Sequence, residues 1–269
     1  MRVVPFFVRS IFMLSMARGA KREPGATVSG LGEAESERKR GKGRARRIGE
    51  RQLGHSSSRS LEDIAMTDHP FAGSANAATA DRLFDAAHII LSDLENGSPV
   101  STARLRAAME AAFGGTDAEG AWDWKTAYDA GEAAQILFLR KYGPALFRRS
   151  PDHHARLRLI ERIAALLPTH TRRSEAGQLM QQFSTPAALA FVVALAGGIG
   201  EGDLVLEPSA GTGMLAIHAE LAGAQLRLNE LAQVRAALLG SLFAGSVVTQ
   251  HDAARIDDYL DLAVAPAVV

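Results

Sequence analysis

Residues 203–213 read DLVLEPSAGTG, and the interpretation of the whole chain turns on them. Leu204, Val205 and Leu206 form a continuously apolar run, the pattern of a central parallel strand covered on both faces, and the run ends in an acid, Glu207. Ligands of parallel sheets lie at the carboxyl ends of the strands. Pro208, Ser209, Ala210, Gly211, Thr212 and Gly213 follow, all with small side chains. The two glycines permit positive φ and let a ligand lie against the backbone. The free amides of the next helix then face that ligand.

Outward from this loop the chain alternates. Expected elements are a helix over 187–197, strand 203–207, helix 213–222, strand 225–229, helix 231–242 and strand 246–250, and such alternation predicts a parallel sheet. The expected fold class is α/β: an incomplete Rossmann-like doubly wound parallel sheet, its first three strands only, preceded by an all-α module.

Gly211 to Ala216 also satisfies the dinucleotide pattern G-x-G-x-x-G/A, and a nicotinamide-binding oxidoreductase is one reading. In that fingerprint the strand runs almost directly into the first glycine, whereas here an acid and three further residues intervene. A buried acid repels a pyrophosphate and attracts the sulfonium and ammonium of S-adenosylmethionine. Glu230 ends the next strand, 23 residues beyond Glu207, close to the spacing of about 20 at which an acid reaches ribose hydroxyls. Asp252, after the third strand, is placed to accept a hydrogen bond from an adenine amino group.

LEPSAGTG at 206–213, together with QFSTP at 182–186, resembles the motif pair of class I adenine-type DNA methyltransferases. By that resemblance Phe183, Thr185 and Pro186 touch the methionine end of S-adenosylmethionine, and Glu207, Pro208, Ala210, Gly211 and Gly213 form the pocket around it. Glu230 holds the ribose and Asp252 the adenine. Locally, Thr185 is also a plausible cap for a helix starting at Pro186. The runs AWDWKTAYDAGEAAQILFLRKYG at 121–143 and LLPTHTRRSEAGQLMQQFSTP at 166–186 extend the likeness. With them, 66–269 is similar to the amino-terminal region of bacterial strawberry notch-like proteins, large methyltransferase and helicase fusions. The resemblance implies a nucleic-acid substrate and a carboxy-terminal helicase region beyond this chain. Enzymes of this kind carry an Asn/Asp-Pro-Pro-Phe/Tyr motif after a fourth strand, and no such tetrapeptide occurs here. The expectation is a chain cut short just before that motif, where the fourth strand would begin, with no catalytic residue of its own and with its first strand left as an exposed edge. A non-catalytic interaction module with a vestigial pocket is the alternative of a different class.

Three segments are expected: a basic tail over 1–65, a helical module over 66–175 and the α/β segment over 176–269. The tail carries 14 Lys/Arg against 7 Asp/Glu, a net of +7 that the remainder balances, so whole-chain charge gives no pull toward nucleic acid or membrane. Its composition predicts disorder, or translation from a start upstream of the true one at Met66. Arg9 interrupts the first apolar run, neither piece approaches the roughly 20 residues a membrane helix needs, and no cysteine is present, so a cytoplasmic protein is expected.

Leu83, Ala87, Ile90, Leu91 and Leu94 share one helical face ahead of the stop Asn96-Gly97, and Ser101 caps a second helix ending at Gly114-Gly115. A third helix is expected over 122–142, burying Trp124, Tyr128, Gly131, Ala134, Phe138 and Tyr142 and stopped by Gly143-Pro144. A fourth starts near Pro151-Asp152 and buries Leu157, Ile160, Ala164 and Leu167. The aromatic stripe reads as core rather than a base-stacking surface. Arg140, Lys141, Arg148, Arg149, Arg172 and Arg173 read as a solvated face near helix ends.

Overall fold

In the computed structural model, residues 75–169 and 184–259 are described, together with the backbone pairing of 267–268. The tail over 1–65, Phe183, Arg172 and Arg173 lie outside the described residues.

Four helices open the described chain: α1 (Ala75–Glu95), α2 (Thr102–Phe113), α3 (Trp124–Arg149) and α4 (His153–Ala164). Their starts follow from capping side chains. Ser101, Asp123 and Asp152 each accept a hydrogen bond from the backbone N–H three residues on, satisfying amides that have no intrahelical partner. Gly114 ends α2 at φ 72°, in the left-handed region that suits glycine.

The third helix does not stop at Gly143-Pro144 but runs through it to Arg149. A proline inside a helix clashes with the residue before it chiefly through that residue's Cβ, and Gly143 has none. The missing Cβ serves packing as well, because it would lie 3.1 Å from Leu221 Cδ1. What reads locally as a stop is a close-approach site. The buried stripe differs too: residues 127–136 are buried all round, while Trp124, Phe138 and Tyr142 are only partly covered. In α4 the buried positions are Ile160 and Ile163. Trp122 is 5% exposed, and Trp124 meets it edge-on at 5.5 Å, in keeping with a core role for the pair.

The second half alternates as expected: α5 (Ala187–Ala196), β1 (Leu204–Glu207), α6 (Met214–Leu221), β2 (Gln225–Asn229), α7 (Gln233–Leu242), β3 (Val247–Thr249), a 3-10 turn (Ala253–Asp258) and β4 (Ala267–Val268). All pairings are parallel, in the order β3-β2-β1-β4. The chain therefore forms more than three strands. β1 is not an edge, because Val205 and Leu206 pair with Ala267 and Val268.

Two successive right-handed crossovers stepping the same way place α6 and α7 on one face of the sheet. Val205, Leu226 and Leu228 point to that face and join the core. On the far side of α6 and α7 sit α1, α3 and α5: α3 packs on both, α1 on α7, and α5 on α6. One hydrophobic cluster runs through the helical segment and the α/β segment, from Leu83 and Ile136 to Ile217 and Leu239. The described residues belong to one compact unit, and no helix among them is long and apolar enough to cross a membrane.

Candidate functional site

The carboxyl ends of β1, β2 and β3 are drawn together by a single side chain. Asn229, the last residue of β2, is fully buried. Its Nδ2 donates to the carbonyls of Pro208 and His251, both at 2.9 Å. Its Oδ1 accepts from the Thr249 hydroxyl and the His251 N–H, again both at 2.9 Å. An amide has two donors and two lone pairs, so every capacity is used. The Asn229 carbonyl meanwhile accepts from Ala210 N–H at 2.8 Å.

The glycine loop rests on this clamp. Gly211 has φ 59° and Gly213 φ 95°, conformations that other residues rarely adopt. Gly213 is doubly required, since a Cβ there would lie 2.3 Å from Phe243 Cε2 and 3.0 Å from Leu239 Cδ1. The loop therefore sits directly against α7 and the ring that follows it. Ser184, Thr185, Glu207, residues 209–212, Met214 and Leu215 line a small, open cleft of about 30 Å³. That is about a tenth of the lower end of the range of roughly 300–1,000 Å³ usual for small-molecule pockets, so a ligand of nucleoside size would extend beyond this lining.

Glu207 closes the cleft at the end of β1 and is 3% exposed. Its Oε2 is buried with no hydrogen-bond partner among the described residues. Burial drives its carboxyl well above the usual range, the backbone N–H of Ala216 opposes that, and the neighbouring Glu230 adds to it. Glu230 accepts from Gly211 N–H through Oε2 and from Ala232 N–H through Oε1, both at 2.8 Å. One amide of the glycine loop is thus already turned toward a carboxylate.

Of the residues expected at the site, Thr185, Glu207, Ala210 and Gly211 line the cleft. Pro208 supports it through its carbonyl, Gly213 through packing on Phe243, and Glu230 through Gly211. Asp252 stands apart: it is exposed, and its carboxylate accepts from Ala254 N–H at 3.0 Å as the cap of the 3-10 turn. Thr185 does not cap α5, which begins at Ala187. Pro186 occupies the N-cap position, with φ −57° and ψ 140°, and makes no side-chain cap. Its extended ψ puts Thr185 one residue too far out to reach the first-turn amides.

A second group of residues carries no signal that local pattern recognises. Asp129, Glu132 and Gln135 are buried at three-residue spacing on α3, within the small-residue run YDAGEAAQ. The Thr212 hydroxyl donates to Glu132 Oε2 at 2.7 Å, across 80 residues of sequence. Arg235 of α7 forks onto Asp129 through Nε at 3.0 Å and Nη2 at 2.6 Å, and Lys125 joins at 3.0 Å. Burial pushes Asp129 up, but the two cations outweigh it and hold the carboxyl below its ordinary value. Burial likewise pulls Arg235 down, and Asp129 more than reverses this. Three polar residues on one face of a small-residue helix were the available clue. Arg140 and Lys141 also have partners: Arg140 forks onto Glu220 at 2.6 and 2.9 Å, and Lys141 meets Glu95 at 2.7 Å.

Comparison with known proteins finds no match among family models, curated proteins or solved structures. The geometry of the cleft and the residues around it carry the functional reading. Among the described residues there is no cluster of side chains that could hold a metal ion.

Proposed function

We propose that the cleft binds S-adenosylmethionine and that the α/β segment is the cofactor-binding half of a Rossmann-like class I methyltransferase domain. The observation that carries this reading is Glu207: a buried carboxyl at the end of a central strand, lining the cleft, with one oxygen lacking a partner among the described residues. An orphaned buried acceptor costs roughly 1–3 kcal/mol, and a ligand cation removes that cost. The strand order β3-β2-β1-β4 is the one on which a doubly wound sheet is built around its first strand.

The nicotinamide reading has less support. A pyrophosphate seeks free loop amides and positive potential, whereas Gly211 N–H faces Glu230, and Glu207 lies close enough for the two acids to repel. Thr185, Glu207, Ala210 and Gly211 would contact the cofactor, with Glu230 within reach of its ribose. Asp252, whose Oδ1 accepts from the Ala254 amide, would offer Oδ2 to the adenine.

The resemblance to strawberry notch-like proteins extends the proposal to the intact polypeptide. There the acceptor would be a nucleic-acid amine on a base turned out of its helix, and a helicase region would follow. The cofactor would supply the methyl group, while these residues bind and orient it. No residue of this chain is assigned to the transfer step, since the Asn/Asp-Pro-Pro-Phe/Tyr motif does not occur in it.

Calorimetric titration of the full chain with S-adenosylmethionine and, separately, with NAD and NADP tests the reading. Saturable S-adenosylmethionine binding, weakened about 10- to 100-fold in Glu207→Gln that folds by circular dichroism, is expected from losing a charge-assisted contact. No binding by the wild type, equal binding by Glu207→Gln, or preference for a nicotinamide cofactor overturns it.

A further inference from the structure

The acids of α3 lie outside the lining of the cleft, yet their partners are its walls. Thr212 belongs to the glycine loop and is 2% exposed, and its hydroxyl ends on Glu132, which is 6% exposed. Ser184, from another segment of the lining, also hydrogen-bonds Glu132 through its hydroxyl and lies 3.4 Å from Arg235 Nη2. Arg235 is itself fixed by Asp129, one turn before Glu132 on the same helix. Two separate segments of the cleft lining therefore converge on one carboxyl contributed by the helical segment.

We propose that Glu132 is a positioning residue for the ligand site, holding the glycine loop through Thr212 and the 184–186 segment through Ser184 at the separation a ligand requires. The inference rests on the S-adenosylmethionine reading for the identity of the ligand, but not for the coupling of the two walls. A residue serving the core alone would be better replaced by an apolar one, since a buried acid is costly without full compensation. Glu132 sits where two hydroxyls share one acceptor.

Its charge also matters. Burial and the adjacent Asp129 raise Glu132 to about 7, against the pull of Arg235, Thr212 and Ser184. The charged groups acting on it are Asp129 on α3 and Arg235 on α7; Lys125 acts on Asp129, and Glu230 on Arg235. The buried positions of α1 are all apolar. Above about 7 the ionised Glu132 adds negative charge behind the Thr212 and Ser184 hydroxyls, and it favours a cationic ligand.

The test uses the full chain and four variants: Glu132→Gln, Glu132→Ala, Thr212→Val and the double variant Glu132→Ala/Thr212→Val. Amide hydrogen exchange without ligand reads the coupling, and calorimetry with S-adenosylmethionine between pH 6 and 8.5 reads its consequence. Exchange at residues 211–214 is expected to quicken at least tenfold in Glu132→Ala and Thr212→Val, with no further increase in the double variant, and to stay near wild type in Glu132→Gln. Affinity is expected to fall at least tenfold in Glu132→Ala. Glu132→Gln should bind normally at pH 6 and gain less affinity than wild type as pH rises, a comparison that cancels the titration of the ligand's own amine. Should the wild type not bind S-adenosylmethionine while loop exchange still depends on Glu132, the ligand assignment falls and the positioning role stands. Unchanged loop exchange in Glu132→Ala, additive effects in the double variant, or identical pH profiles for wild type and Glu132→Gln overturn the proposal.

Discussion

Replacing Gly213 by alanine separates two demands that a glycine loop places on its residues. At Gly211 the demand is conformational only: φ is 59°, and the nearest atom to an added Cβ is Arg235 Nη1 at 3.8 Å, an ordinary contact. Gly211→Ala should therefore cost about 1–2 kcal/mol for a left-handed alanine. At Gly213 the same conformational cost applies at φ 95°, and the Cβ would also overlap Phe243, at 2.3 Å from Cε2 and 2.9 Å from Cζ. Both atoms belong to a ring 2% exposed, so it cannot swing into solvent. Overpacking of this kind adds roughly 1–3 kcal/mol, which brings Gly213→Ala to about 2–5 kcal/mol. Against a total of roughly 5–15 kcal/mol for a typical domain, that is a large loss. Urea unfolding followed by far-ultraviolet circular dichroism measures it. Adding Phe243→Leu to Gly213→Ala should recover part of the difference, whereas added to the wild type it should only destabilise. If the two glycine variants lose the same stability within about 0.5 kcal/mol, or if Phe243→Leu recovers nothing, the packing of the loop on that ring is wrong.

Two further outcomes follow from the same interior. Asn229→Ala removes the partner of the Pro208 and His251 carbonyls and of the His251 N–H, and should lower stability by about 2–4 kcal/mol while quickening amide exchange at residues 210–211 and 251. His218, 4% exposed beside Phe191, is lowered by burial from 6.5 to about 4, against a smaller contribution from the Ala187 backbone. Between those values the folded ring stays neutral while the unfolded ring takes up a proton. Stability present above pH 6.5 is therefore lost as pH falls toward 4, by up to about 3 kcal/mol. Urea midpoints at pH 7 and 4.5 should differ by less in His218→Phe than in the wild type. An equal difference would mean that this histidine is not the group responsible.

The elements of the fold were legible wherever their causes are local. Ser101 and Asp152 start helices because a short acceptor side chain sits three residues before a free amide. The alternation after residue 186 yields parallel strands because each apolar run is too short for a helix. Gly143-Pro144 was misleading for the opposite reason: its meaning depends on Leu221, 78 residues away, and a tertiary contact overrode the local signal. The same limit applies at the site. The glycine loop and its preceding acid are visible as a continuous string, whereas Asp129 and Arg235 are 106 residues apart and become partners only in the folded chain. Asn229 was visible only as the last residue of a strand, since nothing local indicates that two neighbouring loops would hang from it. Thr185 was misplaced by a single residue, because whether a helix starts at Pro186 or Ala187 depends on one ψ angle.

The burial of residues 127–136 of α3 on all sides bears on how such a chain is made. The helix leaves the ribosome well before the glycine loop and α7 exist, so its acids must wait in water until their partners have been synthesised. Order in the cleft requires Arg235 and Thr212 to reach that helix. Dividing the polypeptide between the helices and the sheet would strand a guanidinium on one piece and its carboxylate on the other. The smallest unit able to shape this cleft therefore reaches back at least to Trp124.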